Sequence, residues 1–296
     1  MMASPYPSEP YWNTREVSEY PPVEVVPPPR PLPRQRIGLH VFLFALTVLS
    51  TITVGGILFS AALLSILLAH EFGHYFAARR YGVPVSLPYF IPFPLSLFGT
   101  LGAFIRMSPR IPHRRALFDI AAAGPIAGLV LAIPLSYAGI LFSQILRKDG
   151  LPDNVITLGE PLLFQALGWL AHGSLGENVD MLLHPVAFAG WAGMFVTALN
   201  LLPIGQLDGG HITHALFGSR SRQVAFAMFG GLAAYSLIER NVTWLPLLIL
   251  LLVIGIQHPP AFDDGLPIGR GRAIVGALLG IIFFTCFSLA PIRLSP

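Results

Sequence analysis

The chain has one cysteine, Cys286, among 296 residues. That excludes a disulfide within the chain and any metal site built on several thiolates. Charge is scarce too. Asp, Glu, Lys and Arg make up 11% of the residues, where a soluble domain carries about 25%. The formal net charge is only +3. The basic residues flank apolar runs and form no patch interleaved with aromatics, which argues against nucleic acid as a partner. The chain does not open on a basic start followed by an apolar stretch, so no cleaved signal peptide is expected. Nor does it open like a transit sequence. Those are poor in acid, whereas Glu9, Glu16, Glu19 and Glu24 all fall in the first 24 residues.

What the chain has in excess is apolar sequence, 54% of its residues. Several runs reach the roughly 20 residues needed to cross a hydrocarbon core. The expected fold is an all-α polytopic membrane protein with about seven transmembrane helices. Residues 1–36 stand apart, with ten prolines and mixed charge. They read as a disordered cytosolic tail, or as a polyproline partner segment around Pro27–Pro33. Residues 37–296 form the membrane domain. Spans are expected near 39–54, 57–79, 115–144, 184–203, 222–238, 243–257 and 273–291. The first two are separated at Gly55-Gly56; one long tilted helix is the alternative. A mixed loop at 145–183 carries a short amphipathic helix at 160–173.

Residues 84–106, PVSLPYFIPFPLSLFGTLGAFIR, are apolar but hold four prolines and two glycines. A straight helix is excluded there. Non-helical backbone at membrane depth must be buried in protein or line a wet cavity. A re-entrant, partly extended loop is expected. Lys and Arg set the orientation. With these spans, 14 of the 18 fall on one side and 4 on the other, in line with the positive-inside rule. A single crossing over 39–79 would spoil that split to 10 against 8.

Ionisable groups inside an apolar run demand a purpose. The run FSAALLSILLA ends in HEFGH, which is His70, Glu71, Phe72, Gly73 and His74. On a helix, positions i and i+4 share a face, so both imidazoles can bind one Zn²⁺. Glu71 beside them suits a general base. Zinc hydrolases use a third protein ligand. Asp208, in NLLPIGQLDGGH at 200–211, closes another hydrophobic segment. By the topology above, it lies on the same side as His74. A plain helix-ending Asp-Gly-Gly turn is the bland alternative for it.

With these motifs in order, the chain resembles the site-2 protease family of intramembrane zinc metalloproteases, over about residues 57–217. HEFGH, the N-x-x-P…LDGG pattern at 200–210, AAAGPIAG at 121–128 and the Pro/Gly loop at 84–106 carry the resemblance. It implies one Zn²⁺ per chain on His70, His74 and Asp208, with Glu71 as catalytic base. It also implies that Asn200 holds substrate or the oxyanion; an interhelical hydrogen bond is the alternative role for Asn200. The implied partners are the lipid bilayer and a transmembrane protein substrate cut within or near its span. No room is left for a PDZ module in loop 145–183. The oligomeric state is not legible. The expected site of action is a prokaryotic plasma membrane, with the active site towards the cytoplasm.

His211 and His214 read as helix-end residues near water, and His184 and His258 as span ends. Arg110, Arg114 and Arg115 read as headgroup and topology anchors. Rival functions are a membrane zinc transporter, an inactive relative that holds substrate, and another HExxH membrane protease class. The last would take Glu160, Glu177 or Glu239 as third ligand.

Overall fold

A computed structural model of the chain describes residues 35–148, 156–176, 178–240, 242–256 and 267–294. Most of the Pro-rich tail, His258 and Glu177 lie outside the described residues. Gln35, counted with the tail, is held in place. Its side chain donates to the Val85 carbonyl and accepts from the Leu87 amide.

Helix α1, Ile37–Arg80, is continuous in hydrogen bonding except at Gly56, whose φ of 79° and ψ of 179° are not helical. Only glycine adopts that conformation without strain. The chain reverses there. Ser60 Oγ lies 2.7 Å from Thr51 Oγ1 and 3.5 Å from the Val48 carbonyl. In a straight helix, residues 48 and 60 would be about 18 Å apart. α1 is therefore a hairpin of two arms broken at Gly55-Gly56, and the single tilted helix is ruled out. Its second arm carries HEFGH.

Two strands follow, β1 (Tyr89–Pro92) and β2 (Thr100–Phe104), paired antiparallel. This β-hairpin lies along the first arm of α1. His40 meets the Pro88 carbonyl, Phe44 packs edge-on against Phe90, and Ser50 donates to the Gly99 carbonyl at 2.5 Å. The contacts climb from residue 40 to residue 50, about 15 Å along a helix. At the hairpin's turn, Phe98 packs against Phe188, Trp191 and Phe195.

Helix α2, Arg114–Leu141, starts at an N-cap, His113, whose Nδ1 accepts from the Ala116 amide at 3.0 Å. α2 and the second arm of α1 approach closely, because an added Cβ at Gly73 would sit 2.4 Å from the Ala123 carbonyl. Next come β3 (Gln144–Arg147), β4 (Ile156–Leu158), α3 (Leu162–His172) and β5 (Val179–Leu182). α3 matches the amphipathic helix read at 160–173. Then follow α4 (Pro185–Asn200), α5 (Asp208–Phe217), α6 (Ser221–Ile238), α7 (Leu245–Ile254), α8 (Arg270–Cys286) and β6 (Ile292–Leu294). β3 pairs with β5, and β4 with β6.

One expectation needs correction. The described chain is mostly helical but not all-α, since short strands tie loop 145–183 to itself and to the end of the chain. By length and apolar composition, two helices among the described residues, α1 and α2, are long enough to cross a membrane, and α1 folds into two arms, so the reading of about seven spans rests on the sequence. α4 and α7 are shorter; α7 and the 3₁₀ turn before it, Val242–Trp244, cover most of the range read at 243–257. His184, read as a span end, lies at the start of α4, where its Nδ1 accepts from the Val186 amide and caps the helix.

The core is built where α1, α2 and α4 meet. Phe59, Ile66, Trp191 and Met194 are fully buried there. The Trp191 indole N–H, costly to bury unpaired, donates to the Gly159 carbonyl at 2.8 Å. Several basic residues read on one side gather at one end of the molecule. Arg114 donates to the Ala215 carbonyl and Arg115 to that of Pro267. Arg272 of α8 grips Asp119 of α2 through two nitrogens at 2.8 and 2.7 Å, and the Tyr81 hydroxyl donates to the same carboxylate. These arginines fasten helices together, which goes beyond the headgroup role read for Arg114 and Arg115.

Candidate metal centre

His70 and His74 sit one turn apart on the second arm of α1, both buried. Asp208 arrives from the far end of the chain. It does not close a helix, as its Asp-Gly-Gly context suggested; it opens one, as the first residue of α5. α4 ends at Asn200, and Leu201–Leu207 turn the chain. That turn is tight. An added Cβ at Gly209 would lie 1.9 Å from the Leu201 carbonyl, and one at Gly210 2.3 Å from that of Gly205. The glycine pair therefore lets Asp208 fold back to the level of His70.

The three side chains meet. His70 Nε2 lies 3.2 Å from His74 Nε2, and each lies 3.2 Å from Asp208 Oδ2. Among the described residues this is the one cluster of three His, Cys, Asp or Glu donors within ligand reach. Glu160 and Glu239 are not part of it.

A metal ion fits this triangle on two counts. A tetrahedral ion with bonds of about 2.0 Å needs ligand atoms about 3.3 Å apart, close to the 3.2 Å edges. The second count is proton placement. His74 Nδ1 lies 2.8 Å from the Ile120 carbonyl, which can only accept. The ring proton is therefore on Nδ1, and Nε2 presents a lone pair to the centre. Asp208 Oδ2 is buried there without a hydrogen bond. Lone pairs facing one another in a buried site call for a cation between them.

AAAGPIAG on α2 forms the seat for the imidazoles. A Cβ at Gly124 would fall 2.1 Å from His74 Nε2, and one at Gly128 3.3 Å from His70 Nδ1. Asn200 also reaches the centre, its Nδ2 being 3.2 Å from His70 Nε2. Glu71 is buried beside the ligands, with the Ile105 main-chain amide facing its carboxylate.

These groups border one cavity of about 200 Å³. Its walls include three further contributors. One is His211, which lies one turn beyond Asp208 on α5 and was read as a residue near water. The i, i+3 spacing of Asp208 and His211 was a usable signal for a shared face. The second is the end of β2, Ala103 to Ile105. The third is the apolar face of α2. His214 departs from its reading as well: it is buried, with Nδ1 3.3 Å from Ser221 Oγ.

The family model of Peptidase family M50 matches residues 58–238. Among curated proteins, the chain is 35% identical over 243 residues to the rice (Oryza sativa subsp. japonica) protein named "Probable zinc metalloprotease EGY1, chloroplastic", covering 77% of this chain and 39% of that one. It is 34% identical to the Arabidopsis thaliana protein of the same name, over 75% of this chain and 41% of that one. To "Probable zinc metalloprotease EGY3, chloroplastic" of Oryza sativa subsp. indica it is 33% identical, over 75% and 40%. The chain thus spans about two fifths of the length of these relatives. Their names place them in the chloroplast, so the expectation of a prokaryotic plasma membrane draws no support from them. No solved structure matches the chain.

Proposed function

The chain belongs to Peptidase family M50, and from that premise we propose that it is a membrane-embedded zinc metalloendopeptidase that cuts membrane-protein substrates within or near their transmembrane segments. The observation that carries this reading is the 3.2 Å triangle of His70, His74 and Asp208 with Glu71 in the same cavity. The names of the relatives, all zinc metalloproteases, point the same way.

In this reading His70, His74 and Asp208 hold one Zn²⁺. When bound, the ion supplies Lewis acidity at the scissile carbonyl. Glu71 takes a proton from the attacking water and passes it to the leaving amide nitrogen. Asn200 Nδ2, already beside the ligand nitrogens, donates to the carbonyl oxygen as it gains charge. The Ile120 carbonyl fixes the ring of His74, and Gly124 lets that ring lie flat on α2.

A substrate helix hides its carbonyls in its own hydrogen bonds, so it must unwind before it is cut. β2 suits the unwound strand. Arg106 is bonded on the β1 side, its carbonyl accepting from the Ser86 amide and its N–H donating to Ser86 Oγ. Main-chain groups alternate sides along a strand, so those of Ala103 and the carbonyl of Ile105 face away from β1, at the cavity wall, while the Ile105 amide faces Glu71. The unwound peptide adds to that edge. The β-hairpin then acts as the re-entrant loop within a bundle of about seven spans, counting the two arms of α1. The basic end of the molecule, near the ligands, faces the cytoplasm or its equivalent.

The test is to purify wild type and Glu71→Gln in detergent, measure bound zinc and follow cleavage of a transmembrane peptide. One zinc in each, with cleavage by wild type alone, is the expected result. Absence of zinc from both would refute the ligand set. For the edge-strand role, deleting Pro88–Leu97 should abolish cleavage with zinc retained; full activity would refute that role. A zinc transporter would instead need donor groups spread along a path, and among the described residues the donors form one cluster.

A further inference from the structure

The cavity has a polar and an apolar lining. The polar groups are those of His70, His74, Asp208, Glu71 and Asn200. The apolar lining includes Leu117, Ile120 and Ala121 of α2, together with Met107 and Leu207. Leu117, Ile120 and Ala121 are spaced i, i+3, i+4, so they share one face of the helix. They are exposed by only 2–3%. Further along α2, Gly124 and Gly128 take the imidazoles. One helix therefore presents an apolar wall and then, a turn later, the seat of the metal ligands. Ile120 and Gly124 are about 6 Å apart along the helix axis. Consecutive residues of an extended peptide are 3.8 Å apart at Cα. A carbonyl held at the ligands thus puts the side chain of an adjoining residue at the apolar wall.

From this arrangement we infer that Met107, Leu117, Ile120, Ala121 and Leu207 form a selectivity pocket for one aliphatic side chain next to the scissile bond. The inference rests on the peptidase reading above and deepens it by naming the substrate class: peptides with a leucine-sized residue there, in preference to glycine or a charged residue. The cavity measures about 200 Å³, small beside the roughly 300–1,000 Å³ of drug-sized ligand pockets. It takes the reacting amide and one such side chain. Ala121 is the smallest wall residue, so it sets the depth. Met107, half-buried and flexible, sets the width.

Two measurements test this on the full chain in detergent. The first is kcat/KM for transmembrane peptides that differ only at the residues flanking the cleaved bond. Leucine should exceed glycine by about 10- to 100-fold in wild type. Ala121→Val should lower that ratio about tenfold, and Met107→Ala should shift preference towards phenylalanine. The second is competitive binding of the same peptides to zinc-loaded Glu71→Gln, which reads the pocket without turnover. There leucine should again bind about tenfold more tightly than glycine. Equal values for leucine and glycine in both measurements, or ratios untouched by both substitutions, would overturn the pocket while leaving the peptidase reading in place. Discrimination in binding with no cleavage of any peptide would keep the pocket and count against the peptidase reading.

Discussion

Gly124 and Gly128 lie four residues apart in one motif, yet the structure assigns them opposite tolerances. A Cβ at Gly124 would be 2.1 Å from His74 Nε2, whereas ordinary van der Waals contact begins at 3.4 Å. Gly124→Ala must therefore move the ligand nitrogen by about 1.3 Å. Zinc ligation tolerates about 0.2 Å. The imidazole also cannot swing away freely, because its other nitrogen is bonded to the Ile120 carbonyl at 2.8 Å. Either His74 is lost as a ligand, or its bond to the Ile120 carbonyl is. Zinc affinity should fall at least about 100-fold, or about 2.8 kcal/mol. At Gly128 the nearest atoms, His70 Cβ and Nδ1, stand at 3.3 Å, so a shift of about a tenth of an ångström suffices. Gly128→Ala should keep zinc affinity within about threefold of wild type, inside the ligation tolerance. It should also raise stability by up to about 1 kcal/mol through helix propensity. The assay is zinc retention against a graded chelator, read by elemental analysis, with thermal unfolding of each variant alongside. Wild-type affinity in Gly124→Ala, or equal losses in both variants, would refute the reasoning.

Asn200→Ala should lower kcat by about 10²–10³-fold, as loss of one oxyanion donor does elsewhere, with zinc content unchanged; an unchanged kcat would remove Asn200 from the chemistry. Gly56→Ala should cost about 1–3 kcal/mol, since φ of 79° with ψ of 179° suits glycine alone; an unaltered unfolding temperature in detergent would contradict the α1 reversal. Stripping zinc should lower the unfolding temperature, and re-adding it at 100 times its Kd should restore about 2.7 kcal/mol. A melting curve indifferent to zinc would mean the triangle does not bind it.

Much of the site could be read from the chain because its signals are local or chemically costly. His70 and His74 follow from helical spacing, and Asp208 from the oddity of a carboxylate at the end of an apolar run. The break at Gly55-Gly56 was legible from the glycine pair and from the sidedness of the arginines. That Asp208 opens a helix was not legible, because the turn at Leu201–Leu207 follows directly on the apolar run of α4 and hydropathy does not register where one helix stops and the next begins. Strands β3 to β6 are three or four residues long, and long-range pairing makes them, as in Ile156 with Leu294. The burial of His214 depends on how α5 packs, which no window along the chain contains, whereas the shared face of Asp208 and His211 was there to read in their spacing. Gly124 looked like family resemblance until a ring was found against it.

The separation of the ligands along the chain also bears on how the protein is made. Asn200 and His70 touch across 130 residues, and Asp208 comes later still. At about 5–20 residues per second, the ribosome delivers HEFGH about 7–27 seconds before the residue that completes the centre. Until then the nascent chain has two imidazoles but neither Asp208 nor Asn200. On the proposed function, cutting is thereby deferred until α4 and α5 have packed, and an arrested or truncated product would be inert.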